Sequence, residues 1–128
     1  MIGYAVVGSN DIPRALAFYD ALLGEAGGSR LFDMGERGCI YSAGQGKPML
    51  GVMRPYDGTS ATVGNGTMIA LATDDRAMVD RLHAKALELG GTDEGSPGPR
   101  GGDESPAYFA YFRDLDGNKL AAFHWVQG

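Results

Sequence analysis

Apolar positions fall into short runs and two longer helical patterns, and the same order of patterns occurs twice. Ile2 to Val7 is an apolar run that includes β-branched Val6 and Val7; it predicts a strand ended by Gly8-Ser9-Asn10. Beyond it, Ile12, Leu16, Tyr19 and Leu23 recur at spacings of four and three, the signature of one buried helix face. Asp11 suits the N-cap, because its carboxylate can accept orphan backbone N–H groups, and Pro13 fits a first turn. Gly24 or Gly27 can end the helix in a left-handed conformation. Three further strands are predicted at Arg30 to Met34, Gly38 to Ala43 and Lys47 to Arg54. Breaks at Gly35-Glu36-Arg37 and Gly44-Gln45-Gly46 separate them.

Pro55 to Gly66 is polar and glycine-rich and reads as a link, after which the order resumes. Thr67 to Thr73 predicts a strand, and Asp75 caps a helix whose apolar face is Val79, Leu82, Ala86 and Leu89. A short strand is expected near Thr92. Gly95 to Pro106 is rich enough in glycine and proline to predict a long irregular loop. Tyr108 to Arg113 and Asn118 to Trp125 predict two strands joined through Asp116-Gly117, a strong turn signal.

Asp11 and Asp75 lie 64 positions apart, and the pairs Gly27-Gly28 and Gly90-Gly91 lie 63 apart. The chain is therefore expected to be an internal duplication with its site where the halves face each other. The expected fold is α+β: one domain over residues 1–128, with two tandem βαβββ modules at about 1–55 and 67–128. They would form a curved mixed sheet, a cup, with the helices on its outer face. A ferredoxin-like sandwich is the competing arrangement, and the third strand after each helix argues against it.

Composition narrows the partners. A net charge of −5, with no large basic cluster, makes nucleic acid and anionic membrane surfaces poor partners. No run approaches the roughly 20 apolar residues of a membrane span, and no signal peptide is visible. The single cysteine, Cys39, permits no internal disulfide and fits a reducing cytoplasm. No GxGxxG, Walker or GxSxG motif supports dinucleotide, nucleoside triphosphate or serine-hydrolase chemistry.

Asp11 before AFYDALLG, together with RDLDGNKL near the C-terminus, resembles the vicinal oxygen chelate superfamily over nearly the whole chain. That group includes glyoxalase I, bleomycin-resistance proteins, fosfomycin-resistance enzymes and extradiol dioxygenases. KPMLGVMRPYDG and ATVGNGTMIAL look like a bacterial branch labelled only as glyoxalase family. The resemblance implies a cup whose metal-dependent members hold one divalent ion. The ligands are His or Gln on the first strand of each half and Glu on the last. Here the corresponding positions are Tyr4, Met68, Ala121, and Leu50 or Gly51 according to register. None is a usual ligand for a hard or borderline metal, so the expected cofactor is none.

The expected ligand-binding residues are the cup lining: Tyr4, Leu50, Met68, Lys119, Ala121, Phe123 and Trp125. Alternation puts His124 on the opposite face, His83 on a helix flank, and Asp114 and Asp116 in turn chemistry. Cys39 is expected to be a buried thiol and the Asp103-Glu104 pair a solvated surface. Arg54 and Lys119 could meet an anion or simply lie at the surface. The expected function is binding of a small molecule in a metal-free apolar and aromatic cup. Bleomycin-resistance proteins, which sequester a cationic drug, supply the precedent. The alternatives are a lactoylglutathione-lyase-like lyase or isomerase, or another metal-dependent enzyme of the superfamily with a non-standard or partner-completed site, with a homodimer expected.

Overall fold

Both helices begin where the cap residues predict. The Asp11 carboxylate accepts the Arg14 backbone N–H at 3.1 Å, and the Asp75 carboxylate accepts that of Met78 at 2.8 Å. The computed structural model describes residues 1–126; positions 127–128, the end of the expected second module, lie outside the described residues. The first module runs β1 (Tyr4–Gly8), α1 (Ile12–Glu25), β2 (Ser29–Asp33), a single 3-10 turn (Gly35–Arg37), β3 (Gly38–Ser42) and β4 (Met49–Met53). The second runs β5 (Ile69–Ala72), α2 (Arg76–Glu88), β6 (Thr92–Pro99), β7 (Ala107–Arg113) and β8 (Lys119–Trp125). Gly27 and Gly90 follow the helices with φ of 82° and 98°, left-handed values that favour glycine.

Each module forms its own open four-stranded sheet, ordered β1-β4-β3-β2 in the first and β5-β8-β7-β6 in the second. The first and last strands of each module pair in parallel, and the other pairings are antiparallel. Val6 opposite Gly51 in the first sheet corresponds to Ala70 opposite Ala121 in the second. The duplication read from the sequence is thus a duplication of register as well.

The stretch expected as an irregular loop from Gly95 to Pro106 is strand over its first part, Gly95 to Pro99. β6 continues to Pro99 and pairs with β7, with register shifts between Asp93 and Gly95 and between Gly95 and Gly98. Prolines are tolerated there because β6 is an edge strand with one partner, and the irregular register absorbs residues that cannot donate. The loop proper is residues 100–106.

Alternate residues of each sheet point at the helices. In the first sheet Val7, Cys39, Tyr41, Leu50 and Val52 pack with Leu16, Tyr19 and Leu23 of α1. In the second, Ala110, Phe112, Leu120 and Ala122 join Val79, Leu82 and Ala86 of α2 in that same core. Burying one large side chain of this kind contributes about 1.5–3 kcal/mol.

Polar residues tie the modules together. Asp114, 5% exposed, accepts the Tyr19 hydroxyl at 2.6 Å and the Asn118 side-chain amide at 2.9 Å. It also accepts the backbone N–H groups of Asp116 and Asn118. The Asn118 amide donates onward to the Gly8 carbonyl at 2.8 Å, and the Asn10 backbone N–H donates to Asp116 at 3.0 Å.

A second polar cluster pins β2 to α1. Arg30 donates two N–H bonds to the Asp20 carboxylate, each 2.8 Å, while the Tyr41 hydroxyl donates to Asp20 at 2.7 Å. Arg30 is the main cause holding the Asp20 carboxyl below its usual range. A depressed folded-state value stabilises above the unfolded value of about 3.9 and is lost as pH falls through the lower one. Asp20→Asn is therefore expected to flatten the acid limb below about pH 4. Urea midpoints measured at pH 7, 5 and 3 check this; wild-type and variant curves that stay parallel would contradict it.

Candidate functional site

The face of each sheet turned away from the helices is its open face, although Gly51 and Ala121 are buried within it. On the first sheet, alternation and register place Tyr4, Val6, Phe32, Ile40, Met49, Gly51 and Met53 there. Tyr4 is 58% exposed, Val6 49% and Phe32 59%. The face carries no lysine, arginine or carboxylate at these positions; Ile40, Met49 and Met53 are partly buried and Gly51 buried, so its exposed apolar surface is chiefly Tyr4, Val6 and Phe32.

On the second sheet the open face carries Lys119, Ala121, Phe123 and Trp125 of β8, Phe109, Tyr111 and Arg113 of β7, and Ala70 and Ala72 of β5. Phe123 stacks on Phe109 with centroids 5.1 Å apart, and Phe109 stacks on Tyr111 at 5.8 Å. Trp125, half exposed, stands at the Ala107 end. The Arg100 guanidinium carbon lies 5.4 Å from the Tyr111 ring centroid and the Lys119 ammonium 5.3 Å from it. Arg113 is engaged by the Glu94 carboxylate at 2.7 Å and the Gly117 carbonyl at 2.8 Å.

The seven expected lining residues are not brought to one cluster. Lys119, Ala121, Phe123 and Trp125 share the open face of β8, and Met68, 41% exposed, precedes β5 on the side of Ala70. Tyr4 lies on the other sheet. Leu50 is a correction: it is 7% exposed and packs in the core between β4 and α1. Alternation along β4 sends 50 and 52 to the helix side, so Gly51 is the open-face counterpart of Ala121. Phe109, Tyr111 and Arg100 were not among the expected lining residues. Alternation along the predicted β7 could have indicated the two aromatics, but Arg100 sits in the stretch read as structureless.

The remaining candidates lie elsewhere. His124 donates from Nδ1 to the Thr73 carbonyl at 3.1 Å, away from the open face. His83 is buried on α2 and hydrogen-bonds Asp93 at 2.9 Å; that bond chiefly lowers the Asp93 carboxyl. Burial pushes the Cys39 thiol up, as befits an inert core cysteine. Asp103 and Glu104 are exposed, and Arg54 donates to the Glu36 carbonyl. A shallow hollow of about 860 Å³ lies at the Ile2, Leu31 and Pro48 end of the first sheet. Another of about 210 Å³ lies by Asn10, Arg37 and Tyr56. Neither includes any of the seven.

The four positions at which the resemblance implies metal ligands carry a phenol, a glycine, a thioether and a methyl group: Tyr4, Gly51, Met68 and Ala121. A Cβ at Gly51 would meet the flexible Met53 methyl at 2.9 Å and the Val6 side chain at 3.2 Å. Among the described residues no group of three or more His, Cys, Asp or Glu is placed to hold an ion. The donor set does not fit a divalent metal of the hard or borderline class.

Comparison with known proteins gives the family. The family model of the Glyoxalase/Bleomycin resistance protein/Dioxygenase superfamily matches residues 1–122. A glyoxalase/bleomycin resistance protein from Albidiferax ferrireducens T118 is 35% identical, with 98% of this chain and 99% of that one covered and a TM-score of 0.85. Two more distant structures share the fold. A lactoylglutathione lyase from Agrobacterium tumefaciens is 20% identical, with 96% and 92% of the chains covered and a TM-score of 0.69. TioX from Micromonospora sp. ML1 is 16% identical, with 98% and 99% covered and a TM-score of 0.69. No curated protein sequence matches the chain. The repeated βαβββ register, the family match over residues 1–122 and the 35% identical relative together show that the chain belongs to the glyoxalase/bleomycin resistance protein/dioxygenase superfamily.

Proposed function

We propose that the protein binds a small, flat organic molecule on the open aromatic face of its second sheet, without a metal ion. A second copy of the chain would supply the facing wall. The observation that carries this reading is the stacked row Phe123, Phe109 and Tyr111, each partly exposed, with half-exposed Trp125 beside it, on the sheet face turned away from α2. Aromatic rings offer large contact area at low conformational cost, and their faces and edges favour stacking with a flat guest. The homodimer is supported by the first sheet's open face, on which the large apolar side chains Tyr4, Val6 and Phe32 are exposed. The metal-free reading is supported by the donor set at Tyr4, Gly51, Met68 and Ala121. No helix among the described residues is long and apolar enough to cross a membrane, and the buried unpaired thiol Cys39 supports a reducing, cytoplasmic setting.

Elemental analysis of protein purified without chelator is expected to find divalent metal well below one equivalent. Stoichiometric zinc, nickel, iron or manganese would overturn the metal-free reading in favour of a metal-dependent lyase or isomerase. A thermal-shift screen of planar aromatic compounds is expected to yield stabilising ligands, since binding to the native state raises apparent stability. Those shifts should vanish in Phe123→Ala, and hits that survive it unchanged would place the binding face elsewhere.

A further inference from the structure

The charge on the aromatic face is opposite in sign to the charge of the chain. Although the net charge is −5, the described side chains on and over this face include three cations, Arg100, Arg113 and Lys119, and one carboxylate, Glu94. Glu94 is taken by Arg113. Arg100 and Lys119 form no ion pair among the described residues, and both are half-buried. The exposed Asp103 and Glu104 lie in the adjoining loop, and neither is bonded to Arg100.

Arg100 is held in place by its surroundings. Its Nη1 donates to the Gly98 carbonyl at 2.9 Å and its Nη2 to the Ser96 carbonyl at 2.7 Å, which folds the side chain back along β6. The guanidinium lies against two glycines of β6. A Cβ at Gly98 would stand 3.4 Å from Nη1, and a Cβ at Gly95 would stand 3.4 Å from Nη2 and 3.0 Å from the Tyr111 ring. Two of the five N–H donors of the guanidinium are so engaged, leaving three to offer. The fixed fork faces a carboxylate with little further loss of side-chain freedom.

From this geometry we infer that the ligand is a planar aromatic carboxylate, its ring system against Phe109, Phe123 and Trp125 and its anionic group between Arg100 and Lys119 over Tyr111. This rests on the second-sheet face being the binding face and adds the ligand's chemical class. A cation, which the net charge alone would favour, meets two unpaired positive groups at this face. The cation–π contacts of Arg100 and Lys119 already use the Tyr111 ring that would otherwise attract it. An anion gains two charge-assisted contacts beside a low-dielectric aromatic surface, where they are stronger than in open water.

Isothermal titration of the full chain with three isosteric probes tests this: 2-naphthoate, 2-naphthamide and 2-naphthylmethylammonium. The carboxylate is expected to bind at least about tenfold more tightly than the other two, with affinity falling as salt rises. Arg100→Gln and Lys119→Gln should each remove most of that preference, bringing the carboxylate's affinity down towards that of the amide. Equal or tighter binding of the amide or the ammonium probe, abolished by Phe123→Ala, would overturn the anion assignment and leave the aromatic face as the binding face. Carboxylate preference untouched by both cation variants would also overturn the assignment. No binding by any probe at millimolar concentration would overturn the assignment and the binding face together.

Discussion

Asp114→Ala is expected to destabilise the protein by about 3–5 kcal/mol, close to the whole margin of many domains. The carboxylate is 5% exposed and accepts from four donors: the Tyr19 hydroxyl, the Asn118 amide and the backbone N–H groups of Asp116 and Asn118. Alanine leaves those donors without an acceptor. Tyr19 has no exposed surface through which water could replace the lost bond. Each buried group left unsatisfied costs about 1–3 kcal/mol, which outweighs the net worth of the bonds themselves. Tyr19→Phe is the milder cut, expected to cost about 1–2 kcal/mol, because Asp114 keeps its other three donors. Its pH signature differs too. Burial first, and the neighbouring Asp114 carboxylate second, hold the Tyr19 hydroxyl well above the usual tyrosine value. A raised folded-state value stabilises fully below about pH 10, where an unfolded tyrosine stays protonated, and that contribution falls as pH rises further. Wild-type protein should therefore lose stability above about pH 10 more steeply than Tyr19→Phe. Chemical denaturation at pH 7 and pH 10.5 measures both effects. A cost for Asp114→Ala under about 1 kcal/mol would show that the two modules do not depend on this junction.

The same residues show how far the sequence could be read. Asp114, Asp116, Gly117 and Asn118 were legible as a turn because turn chemistry is local: the Asp114 carboxylate does accept the N–H groups two and four residues on. Their partners in the first module, Tyr19, Gly8 and Asn10, are set by how the two halves pack, and no local spacing encodes that. Helix faces and caps were legible for the same reason, since their periodicity and hydrogen bonds stay within a few residues. Strand β6 was not, because Gly95, Pro97, Gly98 and Pro99 are all weak strand formers; pairing with β7 overrides their local preference. Leu50 shows the sharpest limit. A strand's side-chain period is two, so an uncertainty of one residue along β4 decides between the open face and the core.

Val6→Asp is expected to convert a dimer into a monomer while leaving the fold intact. Val6 is 49% exposed in the single chain, and its neighbours on the open face of the first sheet are Tyr4, Met53 and the bare Gly51. An aspartate there reaches solvent in a monomer and costs little. Buried against a second copy it is an unpaired carboxylate, which costs several kcal/mol. At 1.4 kcal/mol per factor of ten, the dissociation constant should rise by roughly 100-fold or more. A stable interface covers about 800 Å² of each partner, roughly a tenth of the 7392 Å² surface of this chain, which an open face of a four-stranded sheet can supply. Leu87→Asp is the matched control, because it adds the same charge at a 36% exposed position on α2, remote from both open faces. Sedimentation velocity over a micromolar concentration series should show dimers for wild type and Leu87→Asp and monomers for Val6→Asp. The aromatic face belongs to the second sheet and the Val6 face to the first, so ligand titrations of the monomeric variant separate two roles for the partner. Affinity lost with the dimer would make the second copy part of the site. Affinity retained would confine binding to Phe109, Tyr111 and Phe123 of one chain, and a wild type that stays monomeric throughout would remove the partner from the site altogether.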